Sequence, residues 1–216
     1  MFNYPLTLWF ERFSFGRKIQ VIDATGRPVL YVNKKALALK EVVDIYAAGD
    51  QRERLYQIKT ERVIDYAARY AITAPPGAMV GIVARQGMRS RWKALYDTVQ
   101  DLRTYRVNLE RLAAIWNVTY TLLDAEGREV GRILEEIPLL KLVGTILAEV
   151  ILARPFLNPI YVITCCGKPV LYARKQAAMF SRTFTLEKQG EFSEAQEGLF
   201  LSGLAMALLI ERTLGI

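Results

Sequence analysis

Between residues 199 and 210 the chain reads LFLSGLAMALLI, twelve residues with neither a charge nor a polar stripe. Just before it, Ser193-Glu194-Ala195-Gln196 has the Ser-x-x-Gln form of a capping box. In that motif the serine oxygen accepts from a free first-turn amide, while the glutamine reaches back to the serine amide. A helix is therefore expected over 194–212, with Glu211 and Arg212 closing the apolar run. A helix that is apolar all round must be surrounded by apolar groups. Twelve residues at 1.5 Å each reach only about 18 Å, against roughly 30 Å for a bilayer core. Burial inside protein is therefore the preferred reading over a membrane-inserted tail.

The rest of the chain supplies the wall. Runs with strand character fall at 6–10, 18–22, 29–32, 42–47, 55–58, 62–73, 79–83, 118–123, 130–134, 160–164, 170–172 and 180–186, bounded by Gly, Pro or Asp. Closing such a sheet around one helix is the economical way to bury that helix on all sides. Ser202, Gly203, Ala205 and Ala207 would let the wall approach closely. The expected fold is thus mainly β: one domain over 1–216, a closed antiparallel β-barrel around a buried C-terminal helix. Residues 92–115 break the pattern, because Trp92, Leu95, Tyr96, Val99, Leu102 and Tyr105 recur at spacings of three and four. That period predicts a helical insertion, and the apolar stretch 138–152 suggests another short helix. The chain also repeats itself. At an offset of 141, Ile22, Gly26, Pro28, Val29, Leu30, Tyr31 and Lys34 match Ile163, Gly167, Pro169, Val170, Leu171, Tyr172 and Lys175. A weaker echo at 124–130 implies that one kind of hairpin is used at least three times.

Composition then limits the chemistry. The chain has no histidine, which removes imidazole general bases, Ser-His and Cys-His pairs and most catalytic zinc sites. No glycine-rich phosphate loop opens a helix. Glu135 and Glu136, adjacent on a strand, point to opposite faces rather than forming an acid/base or metal pair. Cys165 and Cys166 sit at a hairpin tip as reduced thiols, too close along the chain for an ordinary disulfide. No cofactor or metal is expected. The start of the chain lacks the basic region and cleavage site of a signal peptide, so a cytoplasmic location is expected.

The net charge of +7 is one-sided. Residues 1–110 hold 18 Lys and Arg against 11 Asp and Glu, whereas 111–216 hold 11 of each. Such an excess favours acidic partners. Its densest part comprises Lys34, Lys35 and Lys40 around one bend, Lys59 and Arg62 in the next hairpin, and Arg85, Arg89, Arg91 and Lys93 ahead of the insertion. No aromatic platforms interleave with these cations, which argues against single-stranded nucleic acid.

Several further motifs occur in a particular order: Asp23-x-x-Gly26 before Leu30-Tyr31 and Lys34-Lys35; Asp65-x-x-Ala68-Arg69-Tyr70; Glu135-Glu136 with Lys141; Asn158-Pro159-x-Tyr161; Lys175 with Phe184; and Leu208-Leu209-Ile210-Glu211-Arg212. Over nearly its full length the chain resembles the tubby C-terminal-like group, in particular the LURP-one-related proteins, with phospholipid scramblases as relatives. The resemblance implies a twelve-stranded barrel around the C-terminal helix and departs from the group at the 92–115 insertion. It also implies phosphoinositide headgroup binding. The expected function is therefore a non-enzymatic binding module for anionic phospholipid at the cytoplasmic membrane face, peripheral to it. Lys34, Lys35, Lys40, Lys59, Arg62, Arg89 and Arg91 are its candidate headgroup contacts. The alternatives are a scaffold that binds protein through the insertion and a scramblase-like lipid-handling protein.

Overall fold

The structure, a computed structural model, describes residues 1–11, 17–35, 42–47, 53–62, 68–85, 119–136, 160–176 and 183–213. Twelve strands and a helix follow in order: β1 (Leu6–Phe10), β2 (Arg17–Ile22), β3 (Pro28–Lys34), β4 (Val42–Ala47), β5 (Arg54–Arg62), β6 (Arg69–Ala74), β7 (Ala78–Arg85), β8 (Thr119–Asp124), β9 (Glu129–Glu136), β10 (Ile160–Cys165), β11 (Lys168–Lys175), β12 (Thr183–Lys188) and α1 (Glu194–Thr213). All pairings are antiparallel and link neighbours in sequence, and β1 closes the barrel by pairing with both β2 and β12. Full closure leaves no sheet edge. The expected closed barrel around a C-terminal helix is the fold observed. The helical insertion at 92–115 and the second helix at 138–152 lie outside the described residues.

Alternation decides which residues face inward. Leu6, Leu8 and Phe10 of β1, Ile19 and Val21 of β2, Leu30 and Val32 of β3, and Val43 and Ile45 of β4 are all buried in one core. Their period of two places them on a single face of the sheet. One strand boundary differs from expectation. The run 62–73 is not a single strand: Thr60 pairs with Tyr70 and Arg62 with Arg69, so the chain reverses between β5 and β6. The stretch 63–68, Val-Ile-Asp-Tyr-Ala-Ala, carries no Gly or Pro to mark that reversal.

The hairpin repeat is also only partly as expected. At Asp23-Ala24-Thr25-Gly26 the carboxylate accepts from the amides of Thr25 (2.8 Å) and Arg27 (3.0 Å). Asp124 does the same with Glu126 (3.1 Å) and Arg128 (2.8 Å). Gly26 and Gly127 both take φ +81°, so these two turns are alike. The third is a tighter two-residue turn, Cys166-Gly167, with φ +52° and +76°, between the paired residues Cys165 and Lys168. Thr164 stands where the offset of 141 would place the aspartate, so no carboxylate is there to organise the longer loop.

The helix starts as its capping box dictates. Ser193 Oγ accepts from the Gln196 amide at 3.2 Å, and the Ser193 amide donates to Gln196 Oε1 at 2.9 Å. From Leu199 to Ile210 every side chain is buried, each large apolar one contributing roughly 1.5–3 kcal/mol. The helix does not sit symmetrically in its barrel. A Cβ on Gly203 would lie 2.7 Å from Leu122, 3.3 Å from Ile133 and 3.5 Å from Val83, so α1 presses directly on β7, β8 and β9. On the opposite stripe of the helix Tyr56 packs onto Gly198, whereas beside Ser202 and Ala205, which are small as well, the wall leaves space. A cavity of about 260 Å³ remains between this stripe and the inward residues of β1–β5.

The end of that cavity nearest the helix N-terminus is held by Glu197, 2% exposed. Its carboxylate accepts from the Phe2 amide at 3.2 Å and the Tyr4 hydroxyl at 3.0 Å. Burial first, and the Glu197 charge second, push the Tyr4 phenol far above its ordinary value. The Met1 amine lies 3.1 Å from Glu194 and 3.7 Å from Glu197, tying the start of the chain to α1.

Candidate anionic-ligand site at one barrel rim

Strand direction alternates around the barrel, so the end of β3, the start of β4, the end of β5, the start of β6 and the end of β7 meet at one rim. Lys34, Lys35, Arg62, Arg69 and Arg85 therefore share that rim, with Lys175 at the end of β11. The helix N-terminus lies at the other end, where Gln196 reaches Cys165 at the β10–β11 tip. The C-terminal turn of α1 consequently points toward the basic rim, and the negative end of the helix dipole lies there. That dipole favours cations there.

Four of the sequence-predicted contacts, Lys34, Lys35, Lys59 and Arg62, are thus brought to the same end of the barrel, at the ends of β3 and β5. They do not share one face. Lys34 follows the inward pair Leu30 and Val32 at the same alternation, is half-buried, and is engaged with neighbouring groups. Lys35 is exposed, but its ammonium is 3.1 Å from Asp44. Asp44 is only 1% exposed; it also accepts from Gln57 Nε2 at 2.6 Å and faces the Arg54 guanidinium at 3.6 Å. A buried carboxylate is tolerated only when paired and hydrogen-bonded, and Lys35 is part of that pairing. Its first duty is therefore structural. Lys59 is different: it stands exposed between buried Ile58 and buried Thr60, so its ammonium is outside the barrel. Arg62 is placed by its pairing with Arg69. Lys40, Arg89 and Arg91 lie outside the described residues.

Arg69 is a rim cation that sequence reasoning did not place among the candidates. It is exposed, next to buried Tyr70, and two positions from Ala71, the residue paired with Lys59. Diagonal neighbours on a regular antiparallel ladder lie about 7–8 Å apart at their Cα atoms, and here a bulge between Thr60 and Arg62 lies between the two. Among the residues whose side chains are described, no carboxylate pairs with Lys59 or Arg69. The missing signal was the reversal between β5 and β6, which alone places Arg69 beside Lys59.

Elsewhere, Cys165 and Cys166 are free, their sulfurs 3.9 Å apart, with Cys166 exposed. Partial burial, then the neighbouring Cys166, push the Cys165 thiol above its ordinary range. Among the described residues no group of three His, Cys, Asp or Glu side chains is arranged to hold a metal ion. No helix among them is long and apolar enough to cross a membrane. Compared with protein-family models, with curated proteins and with solved structures, the chain gives no match.

Proposed function

We propose that this protein is a non-enzymatic binding module whose basic rim takes anionic phospholipid headgroups at the cytoplasmic membrane face. The observation that carries the reading is that Lys59 and Arg69 are both exposed, diagonal to one another on the outer side of β5 and β6, with no carboxylate partner among the residues whose side chains are described. Cations held this way keep their charge for an external anion, and each contributes about 1 kcal/mol near an anionic leaflet. Two nearby cations also match the several acceptor oxygens of a phosphate group. Membership of the tubby C-terminal-like group belongs to the same proposal, and a twelve-strand barrel around its C-terminal helix is compatible with it.

The test is co-sedimentation with neutral phosphatidylcholine vesicles and with vesicles containing phosphatidylserine or a phosphoinositide. Binding to the anionic vesicles alone is expected, weakening as salt screens the charges. Lys59→Glu with Arg69→Glu should reduce it at least tenfold. Lys35→Glu is the wrong probe, since it would set a second carboxylate against buried Asp44 and unsettle the fold. Binding that survives high salt and neutral lipid would instead favour a scramblase-like mode, and no binding to any vesicle would favour a protein-binding scaffold.

A further inference from the structure

The cavity beside α1 carries an inference independent of the rim. Its helix side is the stripe Glu194, Glu197, Gly198, Leu201, Ser202 and Ala205, spacings of three, one, three, one and three that keep one face. From Glu194 to Ala205 that stripe extends about 16 Å along the helix axis, with Tyr56 packed onto Gly198 between the polar end and Ser202. The wall opposite is aliphatic: Leu8, Val21, Leu30, Val32 and Ile45. Polar groups gather at the end near the helix start, where Tyr56, Glu194 and Glu197 line it together with Met1 and Phe2.

One polar atom breaks the apolar interior. Ser202, 1% exposed, lines the cavity, and its hydroxyl has no hydrogen-bond partner among the described residues. A buried hydroxyl left without a partner is costly. Water is a poor remedy, because a buried water needs two to four polar partners, and the lining residues next to Ser202 along the helix, Leu201 and Ala205, are apolar. A volume of about 260 Å³ exceeds the roughly 150 Å³ apolar cavity that takes up benzene. What suits an aliphatic slot with a single hydroxyl is a mostly apolar molecule with a single hydrogen-bonding group. Two carboxylates against one amine leave the polar end net negative, which disfavours an anionic ligand.

We propose that the space between α1 and the β1–β5 wall is a binding cavity for a small neutral amphiphile of about medium-chain-alcohol size, whose hydroxyl or carbonyl pairs with Ser202 Oγ. The Gly203 side of the helix, in direct contact with β7–β9, gives the cavity a rigid floor.

The experiment is calorimetric titration of the full chain with octan-1-ol, octane and octanoate. Saturable one-site binding of octan-1-ol is expected, at least tenfold tighter than octanoate and at least fivefold tighter than octane. Ser202→Ala should erase the preference for the alcohol over octane while leaving octane affinity within twofold. Ala205→Leu, which fills the slot, should abolish binding of both with the far-ultraviolet circular dichroism unchanged. If that variant fails to fold, Ser202→Ala, which only removes an oxygen, decides. The proposal is overturned if the parent shows no saturable binding, or if Ser202→Ala binds octan-1-ol as tightly as the parent. These readouts involve neither Lys59 nor Arg69, so they stand apart from the vesicle experiment.

Discussion

Gly81 faces inward on β7, and a Cβ there would run into the Leu123 carbonyl and approach Leu199 of α1 at 2.9 Å. Gly81→Ala must therefore shift backbone, and overpacking of this kind costs about 1–3 kcal/mol. A lower urea midpoint with unchanged slope is expected; an unaltered midpoint would show that β7 has room to move. The turn aspartates act through protonation instead. Hydrogen bonds from the Thr25 hydroxyl and the Arg27 amide hold the Asp23 carboxyl below its ordinary value near 3.8. At Asp124 desolvation, the largest single influence, opposes the same shift, and hydrogen bonds from the Arg128 amide and guanidinium together outweigh it. A depressed folded pKa stabilises above the unfolded value and is lost as pH falls through the folded one. The parent should accordingly lose stability as pH drops below about 4. The double variant Asp23→Ala with Asp124→Ala should be less stable at neutral pH and show a flatter acid slope in urea titrations. At the other hairpin, alkylation with iodoacetamide should label exposed Cys166 before Cys165, whose raised thiol pKa leaves less thiolate; mass spectrometry of the partial product reads the order.

Helix α1 depends on its cap and its length. Ser193→Ala removes one of the two reciprocal bonds and should lower stability by about 1 kcal/mol, measured by thermal unfolding. Removing 194–213 takes away the filling of the barrel, and an aggregated or unfolded chain is expected by size-exclusion chromatography. A soluble, cooperatively folding truncation would refute the buried-helix architecture. The start of this helix was readable because a capping box is local chemistry, contained in four residues. The strands were readable for a similar reason: a period of two at Leu6, Leu8 and Phe10 needs no knowledge of the partner strand. The split of 62–73 was not readable, since the residues between Arg62 and Arg69 carry no Gly or Pro to mark a turn. That one reversal also decides the site, because it sets Arg69 beside Lys59. Pairing likewise gave Lys35 its structural role, which no pattern along β3 could reveal, since Asp44 arrives from β4. The cavity was hidden for a related reason. Small residues on both sides of α1 look equivalent in sequence, and only the packing of Gly203 against Leu122 shows which side is filled.

For the molecule as a whole, closure rests on β1, which holds β12 through Leu6–Leu186 and Leu8–Phe184 and holds β2 through Leu8–Val21. Deleting residues 1–10 would expose two strand edges at once, and edges of this kind recruit other chains. Oligomers or thioflavin-positive aggregates are expected from that deletion, detectable by light scattering; a well-behaved monomer would mean that β2 and β12 can close on each other. The same deletion removes the Met1, Phe2 and Tyr4 contacts to Glu194 and Glu197, so the first segment secures both the wall and the helix. Chain order adds a temporal consequence. All twelve strands precede α1, so a polypeptide emerging from the ribosome displays the whole lining of the barrel before the segment that fills it has been made. Vectorial synthesis usually rewards domains whose early parts fold first, but here the early parts have nothing to condense around. Until residues 194–213 have been made, the inward residues of these strands lack the apolar partner that α1 provides.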